Sequence, residues 1–206
     1  MALKIYGIPR SRAIRTYWAA YELGIDFETV EVAPGPTGSR LPEYVALNPH
    51  GHVPFIVDDG VMLWESMAIN LYLARKHGGP VAAQSLAEEG QILSWTAWAL
   101  AEVEPNAAQA MYHTSMLPEP ERVAGKAAEG LAGVAAPLAV FEAHLAGHGG
   151  YAVGGRFTVA DLNIYGAIFY LRFTPQALAG KTAIAAWMEA CRARPAAKRA
   201  FALRGE

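Results

Sequence analysis

Two neighbouring stretches decide how this chain reads: residues 48–56, NPHGHVPFI, and residues 64–73, WESMAINLYL. In the first, Val53-Pro54 opens a β-type run. Proline lacks the N–H that a strand ladder needs, so it belongs at a strand's first residue or edge. In the second, Glu65-Ser66 stands where an amphipathic helical pattern begins. The first N–H groups of a helix have no partners within it and its dipole makes that end positive, so an anionic group is at home there. Serine and glutamate also suit an ordinary helix start. The weight lies in the succession of a strand-opening Val-Pro and this pair.

Working outward, residues 3–6 form a short β-type run stopped by Gly7 and Pro9, and residues 11–23 carry helix formers with Gly24 where a C-cap falls. Residues 27–32 alternate like a strand, and a loop rich in Pro and Gly spans 33–40. Residues 53–57 and 61–64 read as two strands joined by the turn Asp58-Asp59-Gly60, and 65–77 as a helix stopped by Gly78-Gly79-Pro80. Beyond residue 85 strand signals vanish. Helical segments are expected over 85–114, 120–146, 158–172 and 182–194, with the loop HGGYAVGGRF at 148–157. Alternating α/β followed by all-α implies two compact units, residues 1–79 and 86–206, with a linker near 79–84.

The composition bounds the function. Of 206 residues 53% are apolar, and 19 acidic against 17 basic side chains give a formal charge of −2. Such a balance supplies no electrostatic reason for a nucleic-acid or anionic-membrane partner. The single cysteine, Cys191, excludes an intrachain disulfide framework and a multi-cysteine zinc site, and fits a reducing compartment. The N-terminal MALKIYGIPRSR has no secretory apolar core, and Glu, Gln, His or Gly interrupts the later apolar stretches short of the roughly 20 residues of a span. A cytoplasmic protein is expected.

A third feature, FTVADLNIY at 157–165, has capping-box spacing in Thr158-x-x-Asp161. Taken in order, the three features resemble the cytosolic glutathione transferase superfamily across nearly the whole chain, with a bacterial-type sequence and a serine-type loop similar to the phi class. The resemblance implies a thioredoxin-like α/β N-terminal domain that binds glutathione and an all-α C-terminal domain that contributes the electrophile pocket. It further implies a cis Pro54, with the Val53 N–H and C=O offered to the cysteinyl part of glutathione. Ser66 is implied to take the γ-glutamyl carboxylate and Glu65 the ammonium. Thr158 and Asp161 are implied to serve folding, and a homodimer is the family's habit.

Only a thiolate is a good nucleophile, and a free thiol with a pKa near 8.5 is mostly protonated at neutral pH. The segment from Tyr6 to Ser11 joins the first strand to the first helix, where a hydroxyl and a helix N-terminus can converge on sulfur. Ser11 matches the serine-type donor, with a plain helix N-cap as its other reading. Tyr6 is the alternative, since tyrosine-type classes place their phenol at this strand end. Those classes carry glycine where Ser11 stands, which makes Tyr6 a packing aromatic. Cysteine-type classes need a thiol within 9–11, and none is present. Arg15, a turn beyond Ser11, reads as a surface or interface ion-pair partner, with an enhancement of the local positive field as its other reading. For the glycyl carboxylate the resemblance points to Arg40, assisted by His52.

The implied activity is conjugation of glutathione, as co-substrate and without a metal, to a small hydrophobic electrophile in detoxification. Trp95, Trp98, Met111, Tyr112, His113, Phe169 and Tyr170 are aromatic and Met material for that electrophile's surface or for the helical core. The same scaffold also serves glutathione-dependent isomerases, dehalogenases and peroxidases, and non-catalytic interaction modules.

Overall fold

A computed structural model describes residues 2–205. Four strands, β1 (Leu3–Tyr6), β2 (Phe27–Val30), β3 (Phe55–Asp58) and β4 (Val61–Trp64), form one sheet in the order β2-β1-β3-β4. β1 runs parallel to β2 and antiparallel to β3, and β3 is antiparallel to β4. The parallel pair needs a crossover. Helix α1 (Ala13–Leu23) supplies it and ends in a Schellman motif, with Ile25 N–H on the Ala20 carbonyl at 2.9 Å and Gly24, at φ 65°, on that of Tyr21. The β3–β4 turn has positive φ at both Asp59 (48°) and Gly60 (84°), the twist a two-residue hairpin prefers. Lys76, in the last turn of α3 (Ser66–His77), ties that turn down by bonds of 2.7 Å to Asp58 and 2.8 Å to Asp59.

Two helices lay outside the segments read from the sequence, α2 (Pro42–Val45) and α9 (Pro195–Ala202). The single turn α2 is too short to show a period, and it opens with a proline, whose missing N–H costs nothing there. Its role is to carry Tyr44 inward.

The chain divides into two compact units: residues Met1–Ala83 with Arg192–Glu206, and residues Gln84–Cys191. The sequence reading gave everything from 86 to 206 to the helical part. The last segment instead belongs to the first unit, because α9 (Pro195–Ala202) buries Phe201 edge-on against Trp18 of α1 at 5.9 Å. Arg194 also makes a bidentate pair, both bonds 2.7 Å, with Glu22. Pro195 separates α9 from the preceding helix α8 (Thr182–Ala193), so the helical pattern stops and restarts.

In the second unit the expected helix over 85–114 is an uninterrupted succession of α4 (Leu86–Trp98), a π turn, α5 (Glu104–Met111) and a second π turn. Helix α6 (Ala124–Gly147) departs from the expectation about apolar stretches, since it is long and apolar enough to cross a bilayer by length and hydropathy. Its many alanines raise hydropathy without long side chains. Gly130, Val134, Leu138, Phe141 and Leu145 are buried along one side, and Val140 opposite is 59% exposed. At Gly130 a β-carbon would stand 2.6 Å from the Asn106 carbonyl of α5, so the two helices touch backbone to backbone.

Helix α7 (Val159–Ile168) is buried on every side. Its capping box forms as the spacing predicted, with Asp161 accepting the Thr158 N–H at 2.8 Å. The same carboxylate accepts Ala152 N–H and Trp187 Nε1–H, each at 2.9 Å, and so joins the 148–157 loop, α7 and α8. Burial pushes its carboxyl above the ordinary range, against the pull of these bonds.

Asp161→Ala should destabilise the protein by about 3 kcal/mol in urea melts, since it strands several buried donors. The raised carboxyl also fixes a sign. Between the unfolded and folded pKa values the native state keeps a proton that the unfolded chain has released, so stability falls as pH rises through that window. The parent's urea midpoint should therefore decline relative to that of Asp161→Asn as pH climbs from about 4.

Candidate functional site

The β1–α1 connection is built on Gly7. Its φ is 145°, and a β-carbon there would lie 2.6 Å from the Ala13 side chain. The same point is 3.4 Å from Val53 Cβ and 3.6 Å from Ser11 Oγ. Residues that are remote in sequence thus converge on the one residue without a side chain. Gly7 N–H donates to the Val30 carbonyl at 3.0 Å, and its carbonyl accepts the Tyr17 hydroxyl at 2.8 Å. Burial pushes the Tyr17 phenol up to about 12, so it stays a donor across the working pH range.

Ser11 lies just before α1 and is partly exposed. Its hydroxyl donates to the Ile8 carbonyl at 2.7 Å and accepts the Ala13 N–H at 3.1 Å. It therefore works as a local cap while facing Gly7 and Val53. Tyr6 packs instead between Tyr44 and Phe55, with ring centroids 6.3 and 5.4 Å away. That is the half-buried strand aromatic the sequence suggested.

The Val53-Pro54 peptide is cis, as expected. Both residues are buried and precede the β3 ladder, which begins at Phe55. The residue before them is held from below. The His52 carbonyl accepts the Tyr44 hydroxyl at 2.7 Å and the Asn48 amide at 2.9 Å, and Asn48 is fully buried. This is the work of α2, and the NP of NPHGHVPFI conceals it, because nothing in the pattern says where the asparagine side chain turns.

Arg40 and His52, exposed and far apart in the loop, come together with Nη2 and Nε2 2.9 Å apart. A guanidinium only donates, so in this contact Nε2 is the acceptor. Gly51, at φ 60°, makes room for Arg40, since a β-carbon there would meet Arg40 Cδ and Nη1 at 3.0 Å.

Glu65 is exposed and has φ 66° and ψ 109°, a backbone that non-glycine residues rarely hold. This twist starts α3 so that Ser66 points inward and is buried. Ser66 Oγ accepts Arg15 Nη1 at 3.4 Å. Arg15 is 5% exposed, which overturns its reading as a surface partner. The i, i+4 step from Ser11 to Arg15 carried that signal, but the buried side of α1 is only visible once α3 is in place.

In the helical unit the half-buried Trp95 and Trp98 meet edge-on at 5.0 Å and both pack on the buried Phe141. Met111 is buried, and the His113 ring accepts the Val123 N–H at 3.3 Å. Tyr112 is largely open to solvent. Phe169 carries the Arg172 guanidinium 3.8 Å above its ring, beside a half-buried Tyr170. Cys191 is buried. Among the described residues, no group of three or more His, Cys, Asp or Glu side chains is arranged to hold a metal ion.

Residues 1–75 match the family model described as Glutathione S-transferase, N-terminal domain, and residues 105–195 the one described as Glutathione S-transferase, C-terminal domain. The chain belongs to the glutathione S-transferase family. It is 35% identical to Glutathione S-transferase 3 of Zea mays over 97% of this chain and 93% of the relative. Among solved structures, glutathione transferase F7 from Populus trichocarpa superposes with a TM-score of 0.89 at 26% identity, covering 98% of this chain and 99% of the other. The theta class glutathione S-transferase from Xanthomonas axonopodis pv. citri, solved with glutathione bound, gives 0.83 at 30% identity, covering 97% and 96%. A small mixed sheet followed by a helical unit is thus the glutathione S-transferase fold in this chain too.

In such a transferase the convergence at Gly7 is the tightest steric constraint near Ser11. Gly7→Ala should cost about 2 kcal/mol or more, from overlap with Ala13 and loss of a glycine-favoured φ. Urea denaturation reads the loss, and an unchanged midpoint would contradict the close approach.

Proposed function

We propose that this transferase binds glutathione in its first unit and transfers the thiolate to a small apolar electrophile, with Ser11 as the thiolate's hydrogen-bond donor. The observation that carries the reading is the meeting of Ser11, Val53 and Gly7 at the start of α1. In this reading the Val53 backbone pairs with the cysteinyl part of glutathione behind Pro54, which brings the sulfur toward Ser11. The γ-glutamyl carboxylate takes the Ser66 hydroxyl and the N-terminus of α3. Arg15 sits behind Ser66 as a donor, so the serine's own proton remains available for the ligand. Glu65 takes the ammonium. Arg40, with His52 at its side, takes the glycyl carboxylate through a charge-assisted bond.

The reaction follows from these contacts. The thiol proton leaves to solvent, the thiolate forms a C–S bond to the electrophilic carbon, and the displaced group departs with the bonding pair. A Ser11 hydroxyl that turns from Ile8 to the sulfur leaves no orphan, because the Ile8 carbonyl keeps the Ser11 N–H at 3.0 Å. The positive end of α1 favours the anion further. The two local bonds of Ser11 favour one rival, in which the hydroxyl only caps and backbone N–H groups hold the sulfur. The helical unit supplies the electrophile's apolar surface in this proposal. We further infer a cytoplasmic homodimer with a detoxifying role, on the composition and the family's habit.

Ser11→Ala should raise the pKa of the bound thiol and lower kcat, with glutathione affinity nearly intact. Tyr6→Phe should leave all three alone, since its ring stays packed. The acidic limb of the kcat/KM profile must then move to higher pH in Ser11→Ala. The reverse ordering selects a tyrosine-type mechanism, and two parent-like variants select the backbone. Ser66→Ala should weaken glutathione binding by about 1–3 kcal/mol in calorimetry, the range for a hydrogen bond to a charged group. An intact affinity would displace the γ-glutamyl site.

A further inference from the structure

The loop that carries Ser11 is held at more than its two ends. Gly7 is pinned by Val30 and Tyr17, and Ser11 folds back on Ile8. Between them, the Pro9 carbonyl accepts a bond from Arg204 Nη1 at 2.9 Å, across 195 residues of sequence. A charged donor on a carbonyl makes one of the stronger neutral-acceptor bonds.

Arg204 is itself well fixed. Its N–H bonds the Phe201 carbonyl at 2.9 Å, in the turn that closes α9. α9 is clamped to α1 by Phe201 on Trp18, by Arg199 4.1 Å over the Tyr21 ring and by the Arg194–Glu22 pair. The Arg192 guanidinium covers the other face of this contact, 3.8 Å from the Phe201 ring. Helix α1 begins directly after Ser11, so α9 grips the helix and its final turn grips the loop that leads into it.

We propose that Arg204 is a positioning residue for Ser11: by holding the Pro9 carbonyl it fixes the Ile8–Arg10 bend from which the Ser11 hydroxyl reaches the thiolate. The reasoning is geometric. Pro9 has a locked φ and no N–H, so of this residue's own backbone only the carbonyl can take a hydrogen bond. A small swing there moves Ile8 and Ser11 together, because the two are bonded to one another. Arg204 touches no reacting atom in this scheme. It acts through the loop, and the inference rests on the reading of Ser11 as thiolate donor.

The test compares the full-length parent with Arg204→Ala, Arg204→Lys and Ser11→Ala. Hydrogen exchange at the Ser11 and Ala13 amides reads the loop without reference to catalysis. Arg204→Ala should speed exchange there by about tenfold while β3 and α3 stay protected, as expected for loss of one charge-assisted bond. It should lower kcat about fivefold and raise the pKa of bound glutathione thiol, with KM for glutathione within about twofold. Arg204→Lys, which can still donate to Pro9, should recover most of both effects. Parent-like exchange in Arg204→Ala overturns the brace. Faster exchange with unchanged kcat and thiol pKa overturns its link to Ser11, leaving a purely structural contact. Ser11→Ala keeps the two readings apart: if it is parent-like, the activation by Ser11 has failed, and if it alone is impaired, the brace has failed.

Discussion

The architecture of the first unit turns on the space at Gly7, where β1 ends, α1 begins and the loop before β3 comes alongside. No side chain fits there, and the backbone that does fit is bonded to β2 on one side and to the Tyr17 phenol on the other. The residues around Gly7 inherit their positions from that approach. Ser11 is one short bend further on, Val53 lies across the gap, and Arg15 leaves the next turn of α1 toward Ser66. Loosening this point would not remove any functional group. It would separate groups that act only when they are adjacent.

A second layer of control runs through carbonyl oxygens rather than side-chain packing. The carbonyls of Gly7, Pro9 and His52 each receive a side-chain donor, from Tyr17, Arg204 and the Tyr44–Asn48 pair respectively. The bends at Gly7, Pro9 and His52 have no helix or ladder of their own to satisfy these acceptors. Backbone polar groups must be bonded somewhere, so the donors are brought in from nearby helices and the turns that follow them. In this way irregular backbone acquires fixed hydrogen-bond partners, as regular structure does.

Much of this was legible beforehand, for definable reasons. Strand and helix periods, Gly24 as a C-cap, the Asp59-Gly60 turn and the Thr158–Asp161 box are local codes, each complete within a few residues. Val53-Pro54 and Glu65-Ser66 could be read because their spacing is a pattern in itself. What escaped were facts that exist only between distant segments. Arg15 looks like any helix arginine until α3 covers it, and Asn48 looks like a turn residue until its amide is seen under His52. The return of α9 to the first unit depends on Phe201 finding Trp18, and neither residue announces the other. α6 differs in another manner: its alanines raise hydropathy, yet what matters is that Gly130 lets two helix backbones meet.

The discontinuity of the first unit has a consequence for how the molecule is made and how it can be cut. Residues up to 83 leave the ribosome long before α9 exists, and over that interval one flank of α1 has no cover for Trp18 and no cation for Glu22. Final consolidation of the first unit must wait until the helical unit has been synthesised. For the same reason the sequence boundary near residue 83 is not a seam along which the halves can be exchanged between relatives. A chimaera that swaps everything after it also swaps the helix that closes the half it meant to keep.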